Sequence, residues 1–155
     1  MKIIPFKIPF DDLLMIFSNR KLLHYTDLDF TTIKTDKNLQ NWCTDVHRLS
    51  WAGYDNDAFI GFVSAHLVEK HVTASITIVL LEKYQKKGLA KQLLQYAISE
   101  LKRRGFVRIE SQICTENMDS IKLMESVGFE CEGTLKKNFL IDGILKDSYM
   151  YALIL

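Results

Sequence analysis

The stretch YQKKGLAKQLLQYA, residues 84–97, indicates the fold, because one glycine stands between two lysines and the start of a strongly patterned helix. From Leu89 onward, apolar side chains recur at helical spacing and predict one buried face: Leu93, Leu94, Ala97, Ile98 and Leu101. Lys102, Arg103 and Arg104 suit the negative end of the helix dipole, and Gly105 suits the position after it. A helix is therefore predicted over about 89–104.

The loop before this helix allows two interpretations. The first turn of a helix presents unpaired N–H groups and the positive end of the dipole, which favour an anion. Gly88 would permit close approach to the backbone, Ala90 is small, and Lys86 and Lys87 add positive charge. The same residues are also typical of a solvated, lysine-rich helix start. Neither GxxxxGK[ST] nor GxGxxG occurs, so the loop is not a P-loop or a dinucleotide fingerprint.

Around this loop the chain alternates between strands and helices. A second helix is predicted after residue 117, capped by Asn117 or Asp119 and closed at Gly128. The predicted strands cover 48–54, 58–68, 72–81, 106–114, 134–141 and 146–154, with turns at 55–57 and at Asp142-Gly143. Strands near 75 and 110 joined by one helix predict a βαβ crossover, and the flanking hairpins make the sheet mixed.

The N-terminal part is harder to interpret. Residues 3–10 alternate, with Ile4, Phe6, Ile8 and Phe10 on one face, which predicts an edge strand or an extended lead-in. Asp11 and Asp12 suit a helix start, followed by an apolar side of Leu13, Leu14, Ile16 and Phe17. A short helix is predicted around residues 36–43, and residues 21–34 carry no clear pattern.

Composition and charge exclude several classes of protein. The 155 residues suit one domain, 1–155, and a net charge of +1 gives no overall signal for nucleic acid or membrane. Cys43, Cys114 and Cys131 are odd in number and scattered, which argues against disulfides and a metal site and favours a reducing cytosol. The N-terminus lacks the continuous apolar core of a signal peptide, and no apolar run approaches the roughly 20 residues of a membrane span.

Two further segments give the loop a context. The arrangement strand-Q-x-x-G-x-A-helix resembles the acyl-CoA loop of the GNAT N-acetyltransferase superfamily. Downstream, NMDSIKLMESVGFECEGTLKK, residues 117–137, resembles that family's N-x-x-[AS]-I-x-L-x-x-x-x-GF-x-x-x-G segment. The tail IDGILKDSYMYALIL, residues 141–155, resembles the closing hairpin of the branch that includes the ribosomal-protein N-terminal acetyltransferases.

The resemblance implies a fold as well as an activity. It covers residues 58–155, the acetyl-CoA-binding core, and leaves residues 1–50 as a lead-in on the side of the acceptor. The implied fold is α+β, a mixed α/β arrangement of the GNAT type. Its central sheet is mixed, mostly antiparallel and six- to seven-stranded, with about four flanking helices.

The resemblance also implies which residues hold acetyl-CoA. The pantetheine arm would lie along a strand and pair with it as an added strand does, at Thr77, Ile78, Val79 and Leu80. The pyrophosphate would sit on the N–H groups of the loop, at Gln85, Lys86, Lys87, Gly88, Leu89 and Ala90. Three residues of the second helix would complete the site: Asn117, Ser120 and Lys122. A helix cap is the alternative role for Asn117, and a solvated helix face is the alternative for Lys122.

In this family the acceptor amine attacks the thioester directly. A backbone N–H at Val79 or Leu80 would stabilise the oxyanion. The residues that usually act as general acid and base in this family are absent. Met124 stands at the usual tyrosine position, and the usual acidic positions hold Ala74 or Ser75 and Gln112. Glu110, His66 and Tyr149 remain as candidates, although each could instead be an ion-paired, exposed or packed residue. Cys114 has no readable His–Asp partnership and is a poor candidate nucleophile.

The predicted function is therefore an acetyl-CoA-dependent N-acetyltransferase acting on a primary amine. The amine could belong to a peptide or protein N-terminus or to a small molecule, and the protein could be a monomer or a homodimer. The missing tyrosine and acidic residue leave one alternative from another class. In that alternative the same fold is a sensor or regulatory module that binds acyl-CoA without catalysis.

Overall fold

Seven strands form one mixed sheet. The computed structural model describes residues 1–5, 12, 16–25, 41 and 44–155. The strands are β1 (Lys2–Pro5), β2 (Arg48–Asp55), β3 (Ala58–Val68), β4 (Thr73–Leu80), β5 (Arg108–Cys114), β6 (Glu130–Ile141) and β7 (Ile144–Ile154). Their spatial order is β1-β2-β3-β4-β5-β7-β6. Among the strands of the described residues, only β4 and β5 pair in parallel, which confirms the predicted mixed, mostly antiparallel sheet.

Three α-helices accompany the sheet within the described residues, slightly fewer than the four or so predicted. They are α1 (Arg20–Leu23), α2 (Leu89–Arg103) and α3 (Met118–Ser126), with 3-10 turns at Glu69–His71 and Glu82–Tyr84. Helix α2 connects β4 to β5, so the predicted βαβ crossover is confirmed. Asn117 caps α3, as one of the two predicted alternatives, and Gly128 follows its end with a φ of 95°.

Both predicted hairpin turns are present. Asn56 and Asp57 have φ values of 45° and 66°, and Asp142 and Gly143 have φ values of 51° and 78°. Positive φ at both central residues is the pattern of a type I′ turn, which matches the twist of the strands it joins. Strand β6 begins four residues before its predicted start at 134. Its register against β7 shifts twice, between Cys131 and Gly133 and between Leu135 and Phe139, and such bulges hide a strand's alternation in the sequence.

Only some of the residues in the N-terminal predictions lie within the described part of the chain. Strand β1 lies at the edge of the sheet, as predicted for the start of this segment. Ile16 and Phe17 are helical and buried. The predicted apolar positions Phe6, Ile8 and Phe10, the helix start at Asp11 with Leu13 and Leu14, and most of the short helix over 36–43 lie outside the described residues.

The sheet carries a different core on each face. The larger core lies under α2 and α3, and we call this side the α2–α3 face; it includes Trp51, Val63, Ile76, Leu93, Leu94, Leu101, Ile109, Ile121 and Phe129. A smaller cluster covers one end of the opposite face, where Ile16, Phe17 and Leu23 pack with Phe62 and Val79. Apolar burial drives both, and the larger cluster accounts for most of it.

Strands β4 and β5 separate after a short parallel pairing. Thr73–Ser75 pair with Arg108–Glu110, whereas β4 continues to Leu80 and β5 to Cys114. At the point of separation the Ser111 hydroxyl donates to the Ile76 carbonyl oxygen at 3.3 Å. We call the opening between 76–80 and 111–114 the β4–β5 gap. It lies at the carboxyl ends of two parallel strands, where open α/β sheets usually bind ligands.

Candidate active site

Among the described residues, the loop before α2 carries backbone N–H groups that have no protein acceptor. Helix α2 begins at Leu89, and its N-cap residue Gly88 has a φ of 76° and no side chain to cap the helix. Lys86 also has a positive φ, 58°. Within the described part of the chain, no backbone N–H from residue 86 to residue 91 donates to a protein acceptor. Such a cluster of donors at the positive end of a helix dipole is suited to an anion.

The same loop has room for a ligand. A β-carbon built on Gly88 would meet no heavy atom within 4 Å. Lys86 and Lys87 are exposed, and the Lys86 Nζ lies 4.0 Å from the Asp119 Oδ2 in the first turn of α3. The beginnings of α2 and α3 therefore face a common space, with positive charge around it. These residues fit a phosphate-bearing group.

The Gln85 side chain has a role that the sequence did not suggest. Its Nε2 donates to the Leu80 carbonyl oxygen at 3.0 Å, so the side chain turns back from the loop to the end of β4. The prediction had assigned only the backbone of this residue. The glutamine of the Q-x-x-G-x-A pattern was the available signal, but the pattern does not say where its amide points.

Hydrogen bonding with β3 sets the direction of each β4 backbone group. The Leu81 N–H donates to the Ile60 carbonyl oxygen at 2.9 Å, and the β3–β4 register is continuous. Because bonded pairs alternate in an antiparallel ladder, Val79 and Thr77 bond toward β3, whereas Ile78 and Leu80 point into the β4–β5 gap. The oxyanion donor was expected at Val79 or Leu80. The Val79 N–H belongs to the ladder with β3, so of these two alternatives only the Leu80 N–H faces the gap.

Three predicted residues lie at the start of α3, and the first of them follows the end of β5, where the Asn117 N–H donates to the Cys114 carbonyl oxygen at 2.9 Å. The Asn117 Oδ1 accepts from the Ser120 N–H at 3.2 Å, so the expected helix cap is confirmed. Ser120 is half-buried in the first turn, and Lys122 is exposed, as a solvated helix face requires. Their contact with a cofactor stays a prediction.

Two of the three catalytic candidates lie in one row on the opposite face. His66 and Glu110 both pair with Ser75, from β3 and from β5 respectively. His66 and Ser75 are exposed, and Glu110 is half-buried. The Arg108 Nε donates to the Glu110 Oε1 at 2.6 Å, and the same guanidinium also binds Glu132. Glu110 is therefore an ion-paired glutamate, the alternative that its sequence position had left open.

The charges around Arg108 reinforce one another. Hydrogen bonds to Glu132 and then to Glu110 raise the pKa of the Arg108 guanidinium above its usual value. The bond from Arg108 lowers the pKa of Glu132. The Arg108 guanidinium therefore lies between the carboxylates of Glu110 and Glu132, close to where the two parallel strands pair.

Two polar networks of the opposite face were not predicted. Arg48 Nη1 donates to the Ser64 Oγ at 3.1 Å, and the Ser50 hydroxyl donates to the same oxygen at 3.0 Å. On the other side of the gap, the Asn138 Nδ2 donates to the Gln112 Oε1 at 2.7 Å and to the Ser148 Oγ at 3.0 Å. These residues are distant in sequence, so only the strand register brings them together.

Tyr149, the third candidate, lies on the α2–α3 face. It pairs with Ile113, is half-buried, and its ring centroid lies 6.3 Å from that of Tyr151 in an edge-on arrangement. The Tyr151 hydroxyl donates to the Glu125 Oε1 at 2.9 Å, and burial together with this bond raises the pKa of Tyr151 to about 12. Met124, at the family's tyrosine position, is buried in the core. The catalytic candidates are thus divided between the two faces.

The described residues contain neither a metal-binding cluster nor a membrane-spanning helix. Among these residues no group of three or more His, Cys, Asp or Glu side chains is arranged to hold a metal ion. Within the same ranges no helix is long and apolar enough to cross a membrane.

The sequence pattern of the Acetyltransferase (GNAT) family matches residues 15–129, and this segment contains the α2 loop, the β4–β5 gap and α3. The chain belongs to the GNAT family of acetyltransferases. Membership confirms the predicted fold, the predicted enzyme class and acetyl-CoA as its cofactor. It does not identify the acceptor.

Curated relatives of this GNAT protein match in part or at low identity. A [ribosomal protein bS18]-alanine N-acetyltransferase from Escherichia coli (strain K12) is 38% identical over 56 residues, 36% of this chain and 37% of that enzyme. The alignment thus spans little more than a third of that relative. An uncharacterized N-acetyltransferase, p20, from Bacillus licheniformis is 26% identical over 93% of this chain and 86% of its own.

Solved structures match over almost the whole chain. A spermidine N-acetyltransferase from Vibrio cholerae, solved with CoA and spermine, has a TM-score of 0.85 at 21% identity, covering 98% of this chain and 95% of its own. A ribosomal-protein-alanine N-acetyltransferase from Brucella melitensis has a TM-score of 0.82 at 19% identity, covering 98% and 99%. At these identities the likeness supports the fold alone.

Proposed function

We propose that this protein transfers an acetyl group from acetyl-CoA to a primary amine, of a peptide or protein N-terminus or of a small molecule. The observation that carries the proposal is the β4–β5 gap, whose edge combines unpaired strand groups with the free donors before α2. The bound thioester would supply an acetyl group that the acceptor amine attacks directly. No covalent link to the protein is needed.

The residues that would hold acetyl-CoA follow from these directions. The N–H groups from Lys86 to Ala90 would bind the pyrophosphate, with the Lys86 and Lys87 side chains adding charge. The Gln85 N–H leaves the expected set, because it donates to the Glu82 carbonyl oxygen at 3.1 Å. The pantetheine arm would lie in the gap as an added strand beside β4, where Ile78 and Leu80 offer their backbone groups. Asn117, Ser120 and Lys122 would border the arm from α3.

The oxyanion would be stabilised by an N–H that faces the gap. The Leu80 N–H was predicted as a donor, and it also points away from β3 into the gap. The Ile78 N–H points in the same direction. A backbone donor held by a sheet is already oriented before the substrate binds, which makes it effective toward developing charge.

Deprotonation of the ammonium and protonation of the leaving thiolate would involve side chains on different faces of the sheet. Ser75 stands five residues before Leu80, which is about 16 Å along a strand, so His66 and Glu110 would act on the ammonium only through water. Tyr149 lies on the α2–α3 face beside Ile113 and would donate a proton to the leaving thiolate. A relay to bulk water would serve where neither side chain reaches.

The acceptor would approach from the opposite face, with residues 1–50 contributing to its site. Two of the proteins named above act on a ribosomal protein and on spermidine, both of which carry primary amines, and this supports the amine class. We place the reaction in a reducing cytosol, since Cys114 and Cys131 are both unpaired.

The test is acyl transfer measured as thiol release. Acetyl-CoA is incubated with spermidine, amino acids and peptides that begin with alanine, and CoA binding is followed by calorimetry. Turnover with at least one amine class and saturable CoA binding are expected. Absence of CoA binding would contradict the proposal outright. Binding without transfer to any amine, including those of a lysate, would instead favour the acyl-CoA sensor, which the buried Met124 also favours.

A further inference from the structure

Gly61 in β3 lies directly against the backbone of β4. A β-carbon built on Gly61 would lie 2.7 Å from the Leu80 Cα and closer still to the Val79 carbonyl oxygen. Both atoms belong to a strand and not to the end of a flexible side chain. Any side chain at this position would therefore force the Val79–Leu80 peptide to move.

The neighbouring glycine has no such constraint. Gly53 in β2 pairs directly with Gly61. A β-carbon built there would meet only ordinary contacts, with the Met1 Sδ at 3.4 Å and the Ile60 Cδ1 at 3.8 Å among the nearest atoms. The close approach thus belongs to Gly61 and not to the glycine pair in general.

The peptide that Gly61 touches is the one whose N–H faces the gap. Its carbonyl, from Val79, bonds toward β3, and its N–H, from Leu80, points the other way. The next peptide is held at both ends, because the Leu81 N–H donates to the Ile60 oxygen at 2.9 Å and the Leu80 oxygen accepts from Gln85 at 3.0 Å. Gly61 supplies the remaining restraint, a close contact from the β3 side.

We propose that Gly61 is a positioning residue for acyl-CoA, acting through the Leu80 N–H. The inference rests on the proposed function, in which the acyl-CoA arm occupies the β4–β5 gap. A methyl group at position 61 would push the Val79–Leu80 peptide toward the gap and rotate its N–H away from the arm. Gly61 itself would contact neither cofactor nor acceptor, because β4 lies between β3 and the gap.

The first experiment compares Gly61→Ala with Gly53→Ala as the matched control. Affinity for acetyl-CoA is measured by calorimetry without an acceptor amine, because free CoA lacks the acyl carbonyl that the Leu80 N–H would contact, and the folded state of each variant is checked by its amide NMR spectrum. Loss of one well-placed hydrogen bond predicts a Kd for acetyl-CoA about three- to tenfold higher in Gly61→Ala. Gly53→Ala should keep the wild-type Kd. A folded Gly61→Ala protein with the wild-type Kd would overturn the inference.

A second modification removes the donor and leaves Gly61 in place. Semisynthesis replaces Leu80 by its α-hydroxy acid, so that an ester oxygen stands where the N–H was while the side chain is retained. The ester should raise the Kd by a similar factor, and combining it with Gly61→Ala should add little, since both changes affect one contact. Three outcomes would contradict the positioning role. The two losses could be additive, the ester could bind as the wild type does, or the Gly61→Ala chain could fail to fold. Wild-type protein that fails to bind CoA would instead refute the proposed function itself.

Discussion

The two faces of the sheet differ in what covers them and in what they would do. On the α2–α3 face, one continuous apolar core holds two helices, and the Lys86 Nζ before the first lies 4.0 Å from the Asp119 Oδ2 at the start of the second. On the opposite face, a smaller apolar cluster covers one end, and a polar row of His66, Ser75 and Glu110 lies further along. The first face presents mainly backbone donors, whereas the second presents side chains.

Cofactor binding and acceptor chemistry thus depend on different kinds of groups. Backbone donors are positioned by hydrophobic packing, glycine conformation and helix starts, which leave regular marks in a sequence. A side-chain site assembled across strands depends on register, and one residue of slip would reverse its face. Cofactor binding should therefore be sensitive to the loop, and acceptor chemistry to several separate strands.

The largest effect is expected at Gly88. Gly88→Glu places a carboxylate at the start of α2, where a pyrophosphate would bind, and should raise the Kd for CoA more than about 1,000-fold through loss of charge-assisted bonds. The fold should survive, because a β-carbon there meets open space. Calorimetry with CoA measures the loss.

The control for this substitution lies at the other end of the same helix. Gly105 has a φ of 86°, against 76° for Gly88, and also faces open space. Gly105→Glu carries the same charge and similar backbone strain, so it should bind CoA as wild type does. Equal losses in both variants would show that the loop has no special role in cofactor binding.

Tyr149→Phe should produce the next largest effect, on turnover and not on binding. Loss of a proton donor to the leaving thiolate would lower kcat about 100-fold with little change in the Kd for CoA. Tyr151→Phe is the matched control, since its ring is adjacent but its hydroxyl donates to Glu125. Steady-state kinetics of both variants separate the roles. A Tyr149→Phe enzyme with wild-type kcat would assign the proton to water.

Substitutions in the polar row should have a smaller effect. His66→Gln and Glu110→Gln are each expected to lower kcat about tenfold, less than direct proton transfer would cost, because a water relay can be re-formed. Their pH–rate profiles should change while CoA affinity stays the same. Unaltered profiles in both variants would remove this row from the mechanism and turn attention to residues 1–50.

The smallest effect concerns stability. Tyr151→Phe removes the bond to Glu125 and should lower the free energy of unfolding by about 1 kcal/mol at neutral pH. Because the folded-state pKa of Tyr151 is raised from 10.0 to about 12, its contribution is complete below pH 10 and is lost as the pH rises toward 12. Thermal unfolding across this range should decline less in the variant than in the wild type. A parallel decline in both would contradict the assignment.

Much of the fold followed from the sequence, and the reasons are local. The apolar stripe of α2, the cap at Asn117 and the Asp142-Gly143 turn each depend on a few neighbouring residues. The start of β6 was missed because its bulges interrupt the alternation. The direction of the Val79 N–H was missed for another reason, since it is set by the phase of the β3–β4 ladder.

The short parallel pairing of β4 and β5 has a consequence for the stability of the whole protein. Three residues on each strand, one serine hydroxyl and the bond from the Val107 N–H to the Val72 carbonyl oxygen at 2.9 Å connect a four-stranded part of the sheet to a three-stranded part. A ligand that pairs with β4 in the gap would lengthen this connection, so substrate binding and folding free energy are linked. The free energy of unfolding would then be highest while the acyl donor is bound, and it would fall when the product is released.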